Sequence, residues 1–338
     1  VRRHIHGVST PQLYLKVRDA WTGGHEENLR LRSLNTSHGP GDSMWWGVAH
    51  KDAEYFHKFV LENYNGFNIY SKEGIWFAPT MFFMQAKINV YFSNQKPGDI
   101  VLVGPGCIHW VKALSHSVNS SWNFCTKELE MFQMAMDRYK INKQIKFRNI
   151  IPFYTLMLDL VNYEINTLPL NLLAFFYQEL SDIINQEKNE YSEFISAVSS
   201  TKEKTKFSKI SYEKEIDEVL VLNCDECNVE LFNYWGFCQA CTTRNKEIVL
   251  CLKCFLNHIR TSKRRCYELE RNLFVFNKYD VKHLTLLLHN LELALKNSPN
   301  QNKIQKSTFG VIEELTKKTK IYNEFTLKKN IKKVFGDN

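Results

Sequence analysis

The sequence predicts a mixed α+β protein, and three observations carry that prediction. Through the first 125 residues, short runs of β-branched and aromatic residues alternate with turn residues. From about Lys127, apolar residues recur at the three- and four-residue spacing of helices. Seven of the nine cysteines then fall between Cys224 and Cys266, a density that suits a small metal-held unit.

The elements follow in order. QLYLKV (12–17), KINVYFS (87–93) and DIVLVGPG (99–106) read as strands bounded by Gly, Pro, Asn or Asp. Several such strands separated by turns predict a sandwich or barrel rather than alternating βαβ units. No Gly-rich phosphate loop follows any of them, which removes the main support for a nucleotide-binding α/β protein. Leu129, Phe132, Met136 and Tyr139 mark one helix, and Leu172, Phe175, Leu180 and Ile183 a second. The polar stretch from Gln186 to Lys214 is expected to be a linker. Leu284 to Leu295 is again helical in spacing, and the Lys- and Asn-rich residues after Lys296 suit a solvated helix or frayed end. The expected division is a β core at 1–126, a helical region and linker at 127–215, a zinc-binding unit at 216–295 and a basic tail at 296–338.

Charge divides the chain in the same way. Residues 1–200 carry 19 Lys and Arg against 19 Asp and Glu; residues 201–338 carry 25 against 17, the whole of the net +8. No run approaches the roughly 18 apolar residues of a membrane span, and VRRHIHGVST lacks the apolar stretch of a signal peptide. Neither secretion nor membrane insertion is expected.

Three CxxC pairs, Cys224/Cys227, Cys238/Cys241 and Cys251/Cys254, lie within thirty-one residues. Two such pairs supply four thiolates to a tetrahedral Zn²⁺, and with all positions filled by protein the site is structural rather than catalytic. Spacing alone does not choose among the pairs, and Cys266 and His258 are possible substitutes.

In the neutral part, His25 and Glu27 are two residues apart, so on a strand both face one side. A second pair, His50 and Asp52, has the same spacing, and chance accounts for about this many. The surroundings distinguish the first. Two histidines and one carboxylate form the open face of non-haem Fe(II) oxygenases, and KPGDIVLVGPGCIHWVKA supplies His109 as a distant third ligand. Lys16, Thr22, Ser33 and Asn35 lie close in sequence and offer the cationic and hydrogen-bonding groups that a dicarboxylate cosubstrate needs.

These segments carry a resemblance. PQLYLKV, WTGGHEEN, RSLNTSHGPGDSMWW, KPGDIVLVGPGCIHWVKA and SSWNF resemble, in order and spacing, the JmjC domain of the UTX subfamily of histone lysine demethylases. The likeness continues through DRYKINK to NCDECNVELF and CLKC, covering about residues 7 to 285. It implies a double-stranded β-helix, or jelly roll, followed by helices and a small zinc module. Members of the subfamily have further strands and a helical segment upstream of the matched region.

Residue by residue, the resemblance implies that His25, Glu27 and His109 ligate iron. Lys16 and Thr22 would hold the far carboxylate of 2-oxoglutarate, with Ser33 and Asn35 elsewhere in that pocket and Tyr14 lining the methylammonium site. It selects Cys224, Cys227, Cys251 and Cys254 as zinc ligands. Cys238 and Cys241 depart from the subfamily pattern, which leaves another metal arrangement open. The implied activity is Fe(II)- and 2-oxoglutarate-dependent removal of methyl groups from histone H3, at the Polycomb-associated lysine 27, with release of formaldehyde in the nucleus. The zinc module would read a neighbouring part of the H3 tail, excess lysines would contact nucleosomal DNA, and a chromatin-modifying complex is a further possible partner. Two alternatives are a JmjC hydroxylase acting on a non-histone protein and a catalytically silent chromatin-binding module.

Overall fold

The computed structural model describes residues 5–64, 66–70, 87–199, 207–211, 223–238, 248–261 and 273–296. Among the described residues, eight strands occupy the β-rich part: β1 (Gln12–Lys16), β2 (Trp21–His25), β3 (Arg32–Pro40), β4 (Ser43–Val48), β5 (Val90–Gln95), β6 (Ile100–Val103), β7 (Ile108–Ala113) and β8 (Ser117–Phe124). They form two antiparallel four-stranded sheets, ordered β1-β8-β3-β6 and β2-β7-β4-β5. This interleaved order is a jelly roll, and with the helices that follow it makes the chain a mixed α+β protein, as the sequence predicts.

The small core between the sheets holds Trp45, Val103 and Val111. Helix α1 (His50–Asn63) covers the second sheet, packing Ala53, Phe56 and Val60 with Val48, Ile108 and Trp110. Strand β1 inverts the usual pattern: Leu13, Leu15 and Val17 are exposed, whereas Gln12, Tyr14 and Lys16 line an internal cleft.

Helices α2 (Leu129–Gln144), α3 (Phe153–Glu164) and α4 (Leu170–Ser199) bury the largest cluster, centred on Phe132, Met136, Phe153, Met157, Leu172 and Phe176. The linker expected from Gln186 is corrected here. Helix α4 continues to Ser199 because Phe194 and its partly buried neighbours Tyr191 and Ile195 extend the apolar stripe beneath a charged outer face. Within the same stretch β9 (Phe207–Ser211) pairs parallel with β12 (Leu273–Asn277).

The cysteine-rich unit is built on the sheet β11-β10-β12-β9, with β10 at Tyr234–Cys238 and β11 at Val249–Cys251, and on helix α5 (Leu252–Thr261). Gly236 permits this packing, since a Cβ there would lie 2.0 Å from Phe255 Cδ1. The helix expected near Leu284 is present as α6 (Val281–Lys296), but it packs elsewhere than the expected division placed it. Leu284, Leu287 and Leu291 return to the core of α2, α3 and α4. No helix among the described residues is long and apolar enough to cross a membrane. The Lys- and Asn-rich tail lies outside the described residues.

Candidate active site

His25 ends β2 directly opposite His109 on β7, with ring centroids 4.2 Å apart. Glu27 lies two residues further on, beyond the strand end, with Oε1 3.4 Å from His109 Nε2. One ligand atom from each of the three residues falls within 4.8 Å of the others. The β2–β7 ladder is irregular between Thr22 and His25.

The donor set fits a ferrous ion. His25 Nδ1 is 2.8 Å from the Gly23 carbonyl, and His109 Nδ1 is 3.3 Å from that of Cys107. A carbonyl only accepts, so each Nδ1 carries the proton and each Nε2 keeps its lone pair for a metal. Burial, helped by the neighbouring His109, lowers the pKa of His25 to about 4, which keeps the imidazole neutral at physiological pH. Burial opposes the charged form of Glu27, yet its carboxyl is held at about 2, with the Asn123 amide among the groups that favour the carboxylate. Asn123 Nδ2 donates to Glu27 Oε2 at 2.7 Å. Two imidazoles and a carboxylate on one face are the ligands that Fe(II) oxygenases present.

The three groups line a cleft of about 390 Å³. Of the expected pocket residues, Tyr14, Lys16, Thr22 and Asn35 line it as well. Ser33 is the exception among them: it is 2% exposed and absent from the lining, paired in the sheet with Val103 and Asn123. Burial lowers the Lys16 pKa to about 8, so its ammonium is poised to gain from an anionic partner. Asn35 has a fixed amide orientation: Oδ1 accepts from Gln95 Nε2 at 3.2 Å and Asn119 Nδ2 at 2.9 Å, which leaves Nδ2 for the cleft.

Sequence reasoning missed the supporting groups. Gln95 also accepts from Trp45 Nε1 at 2.8 Å, and the Trp45 ring stacks on His109 with centroids 5.8 Å apart. In β8 a signal was available: Asn119, Ser121 and Asn123 form a polar row at period two, and Ser121 and Asn123 line the cleft.

A second constellation lies in the cysteine-rich unit. Cys224, Cys227, Cys251 and Cys254 bring their sulfurs within 4.8 Å of one another. The Cys227–Cys251 separation of 3.8 Å equals the roughly 3.8 Å expected for tetrahedral thiolates at a Zn–S distance of about 2.3 Å. Hydrogen bonds from Cys227 and Cys251 drive Cys224 towards the thiolate, while its contact with Cys224 pushes Cys251 upwards. Four thiols this close ionise together only around a cation. The cluster unites the two outer CxxC pairs. Cys238 closes β10, whereas Cys241 and Cys266 lie outside the described residues.

This unit is docked on the helices by buried polar groups. Glu230 accepts hydrogen bonds from Tyr154 N, Thr155 N and Thr155 Oγ1, each at 3.2 Å, at the start of α3. Glu187 on α4 accepts from Asn233 N at 3.2 Å, and Asn233 Oδ1 accepts from Tyr279 N at 2.7 Å.

A jelly roll with two histidines and a carboxylate at its cleft is the arrangement that a metal-dependent oxygenase presents. Residues 12–124, about a third of the chain, match the family described as JmjC domain, hydroxylase. The chain is 27% identical to human lysine-specific demethylase 6B over 74% of its own length and 14% of the relative's. It is 30% identical to lysine-specific demethylase jmjd-3.1 of Caenorhabditis elegans over 35% of this chain and 11% of that protein. With lysine-specific demethylase REF6 of Arabidopsis thaliana it shares 26% identity over 48% of this chain and 12% of the plant protein. The chain thus spans less than a sixth of the length of these relatives.

Proposed function

We propose that this chain is the catalytic portion of an Fe(II)- and 2-oxoglutarate-dependent lysine demethylase acting on methylated histone H3, at lysine 27. The observation that carries the reading is the convergence of His25, Glu27 and His109 on a cleft also lined by Lys16, Thr22 and Asn35. The names of the relatives, which are lysine-specific demethylases, support the substrate class.

His25, Glu27 and His109 would hold iron, which, when bound, would supply the chemistry by which O₂ hydroxylates an N-methyl carbon while 2-oxoglutarate is oxidised to succinate and CO₂. Glu27 contributes the one negative charge of the ligand face, and Asn123 fixes its carboxylate. Lys16 would pair with the far carboxylate of 2-oxoglutarate, aided by the Thr22 hydroxyl, with the Asn35 amide elsewhere in the pocket. Tyr14 lies on the cleft wall, where its ring would face a methylated ammonium. Hydroxylation at carbon requires no nitrogen lone pair, so trimethyllysine is an admissible substrate. The carbinolamine formed loses formaldehyde and leaves lysine with one methyl fewer.

Cys224, Cys227, Cys251 and Cys254 would hold zinc, giving a rigid unit that selects a neighbouring segment of the histone tail. The histone tail is itself basic, so its docking surface would be apolar or acidic, and the excess lysines would face nucleosomal DNA. A chromatin substrate places the protein in the nucleus, with removal of a Polycomb mark as the consequence for transcription.

The test is mass spectrometry of trimethylated H3 peptides incubated with the protein, Fe(II), 2-oxoglutarate and ascorbate, beside a His25→Ala control. Loss of 14 Da steps in the wild type alone supports the reading. Equal demethylation by both proteins would remove the iron assignment, and a stable hydroxylated product without formaldehyde would favour a protein hydroxylase.

A further inference from the structure

Glu26, between His25 and Glu27, borders the cleft as they do, but its carboxylate sits in a buried cluster of cations. Its side chain is 2% exposed, and Oε2 lies 3.2 Å from Arg30 Nε and 3.3 Å from Arg138 Nη1. Arg138 is also almost fully buried and lies over the Tyr70 ring at 4.8 Å. The turn joining Glu26 to Arg30 is strained: Leu29 and Arg30 are consecutive residues in the left-handed region, at φ 50° and 57°. Arg30 N donates to Glu27 O at 2.8 Å, and Arg30 O accepts from Gly106 N at 3.1 Å. Gly106 belongs to the loop that leads into β7, and the Cys107 carbonyl in that loop orients His109. Both ligand-bearing segments therefore meet at Arg30.

We propose that Glu26 is a positioning residue for the metal centre: its buried carboxylate, clamped by Arg30 and Arg138, holds a strained turn in the one conformation that aims His25, Glu27 and His109 at a common point. The inference rests on the iron reading above. Removing this charge takes from the two buried guanidiniums the carboxylate they share, and the turn then relaxes from its left-handed conformation. In this account the second residue of the His-Glu-Glu run acts through the backbone, whereas the third binds.

The experiment measures the Fe(II) dissociation constant by anaerobic titration in the presence of 2-oxoglutarate, following the visible charge-transfer absorption of the bound pair, together with thermal unfolding of the unloaded protein. Glu26→Gln keeps the side-chain shape and removes the charge. It should weaken Fe(II) binding about 10- to 100-fold and alter the absorption band at saturation. Phe176→Leu, in the helical core, should lower the unfolding temperature without moving either metal readout. Wild-type affinity and band in folded Glu26→Gln would overturn the proposal. Should Glu26→Gln fail to fold, Glu26→Gln/Arg138→Gln, which removes one charge of each sign, should show the same loss of affinity, and wild-type affinity there would equally overturn it. Failure of the wild type to bind Fe(II), or binding unchanged in His25→Ala, would instead defeat the iron reading.

Discussion

Replacing Glu187 by glutamine should make the protein's stability less sensitive to pH. Glu187 sits on α4 under the cysteine-rich unit, where burial, opposed by the Asn233 backbone bond, raises its pKa to about 8. Oε1 accepts from Asn233 N, but Oε2 has no hydrogen-bond partner among the described residues. Because the folded pKa lies above the ordinary carboxylate value, the native state holds the proton more tightly than the unfolded chain between about pH 4.5 and 8. The contribution of this group is complete below the lower limit and is lost as pH rises through the upper one. Stability then falls by up to about 1.4 kcal/mol per pH unit, or roughly 2 kcal/mol between pH 6 and 8. Glutamine accepts the same backbone bond and never ionises. The advantage of Glu187→Gln over wild type, measured by denaturant unfolding at each pH, should therefore grow by about 2 kcal/mol from pH 6 to pH 8. Comparing the two proteins at each pH cancels the other titrating groups. An advantage independent of pH, or a variant less stable than wild type at pH 8, would refute the reasoning.

Three further outcomes are expected. Lys16 must be charged to pair with a carboxylate and titrates near pH 8 when unpaired. Calorimetric affinity for 2-oxoglutarate should accordingly drop about tenfold from pH 7 to 9, and Lys16→Met should bind weakly at every pH; an unchanged profile in Lys16→Met would remove Lys16 from the pocket. Asn123→Leu, which deletes the donor to Glu27 Oε2, should weaken Fe(II) affinity about tenfold or more, read by anaerobic titration. Cys251→Ser should lower bound zinc, determined by elemental analysis of purified protein, and lower the unfolding temperature; full zinc content in the variant would exclude Cys251 as a ligand.

Strands, helices and the cysteine unit were each readable from local chemistry. Short aliphatic and aromatic runs bounded by turn residues mark β1, β5 and β6, and Leu129, Phe132, Met136 and Tyr139 mark α2, whose period follows from backbone geometry. The run from Gln186 to Ser199 was misread, since its outer face is charged and only Tyr191, Phe194 and Ile195 show the buried side. The orientation of β1 was hidden for a related reason. Its apolar residues face outwards and its polar residues face the cleft, the reverse of an ordinary core strand. The polar network of Asn35, Gln95 and Asn119 left no local mark at Gln95, because its partners lie 60 and 24 residues away.

The sequence by itself determined the donor chemistry: a His-x-Glu pair with a distant histidine, CxxC pairs in excess of chance, and a basic second half. Residue type and short spacing suffice for these, because a donor atom's affinity for a metal is a property of the side chain. The tertiary structure alone decided which donors meet. It set His109 against His25 through the β2–β7 register, brought the two outer cysteine pairs together, and placed Glu26 against the buried Arg30 while Glu27 lies beside His109. Contacts between residues far apart in sequence, such as His25 with His109 and one outer cysteine pair with the other, depend on strand pairing and packing, which no local spacing specifies.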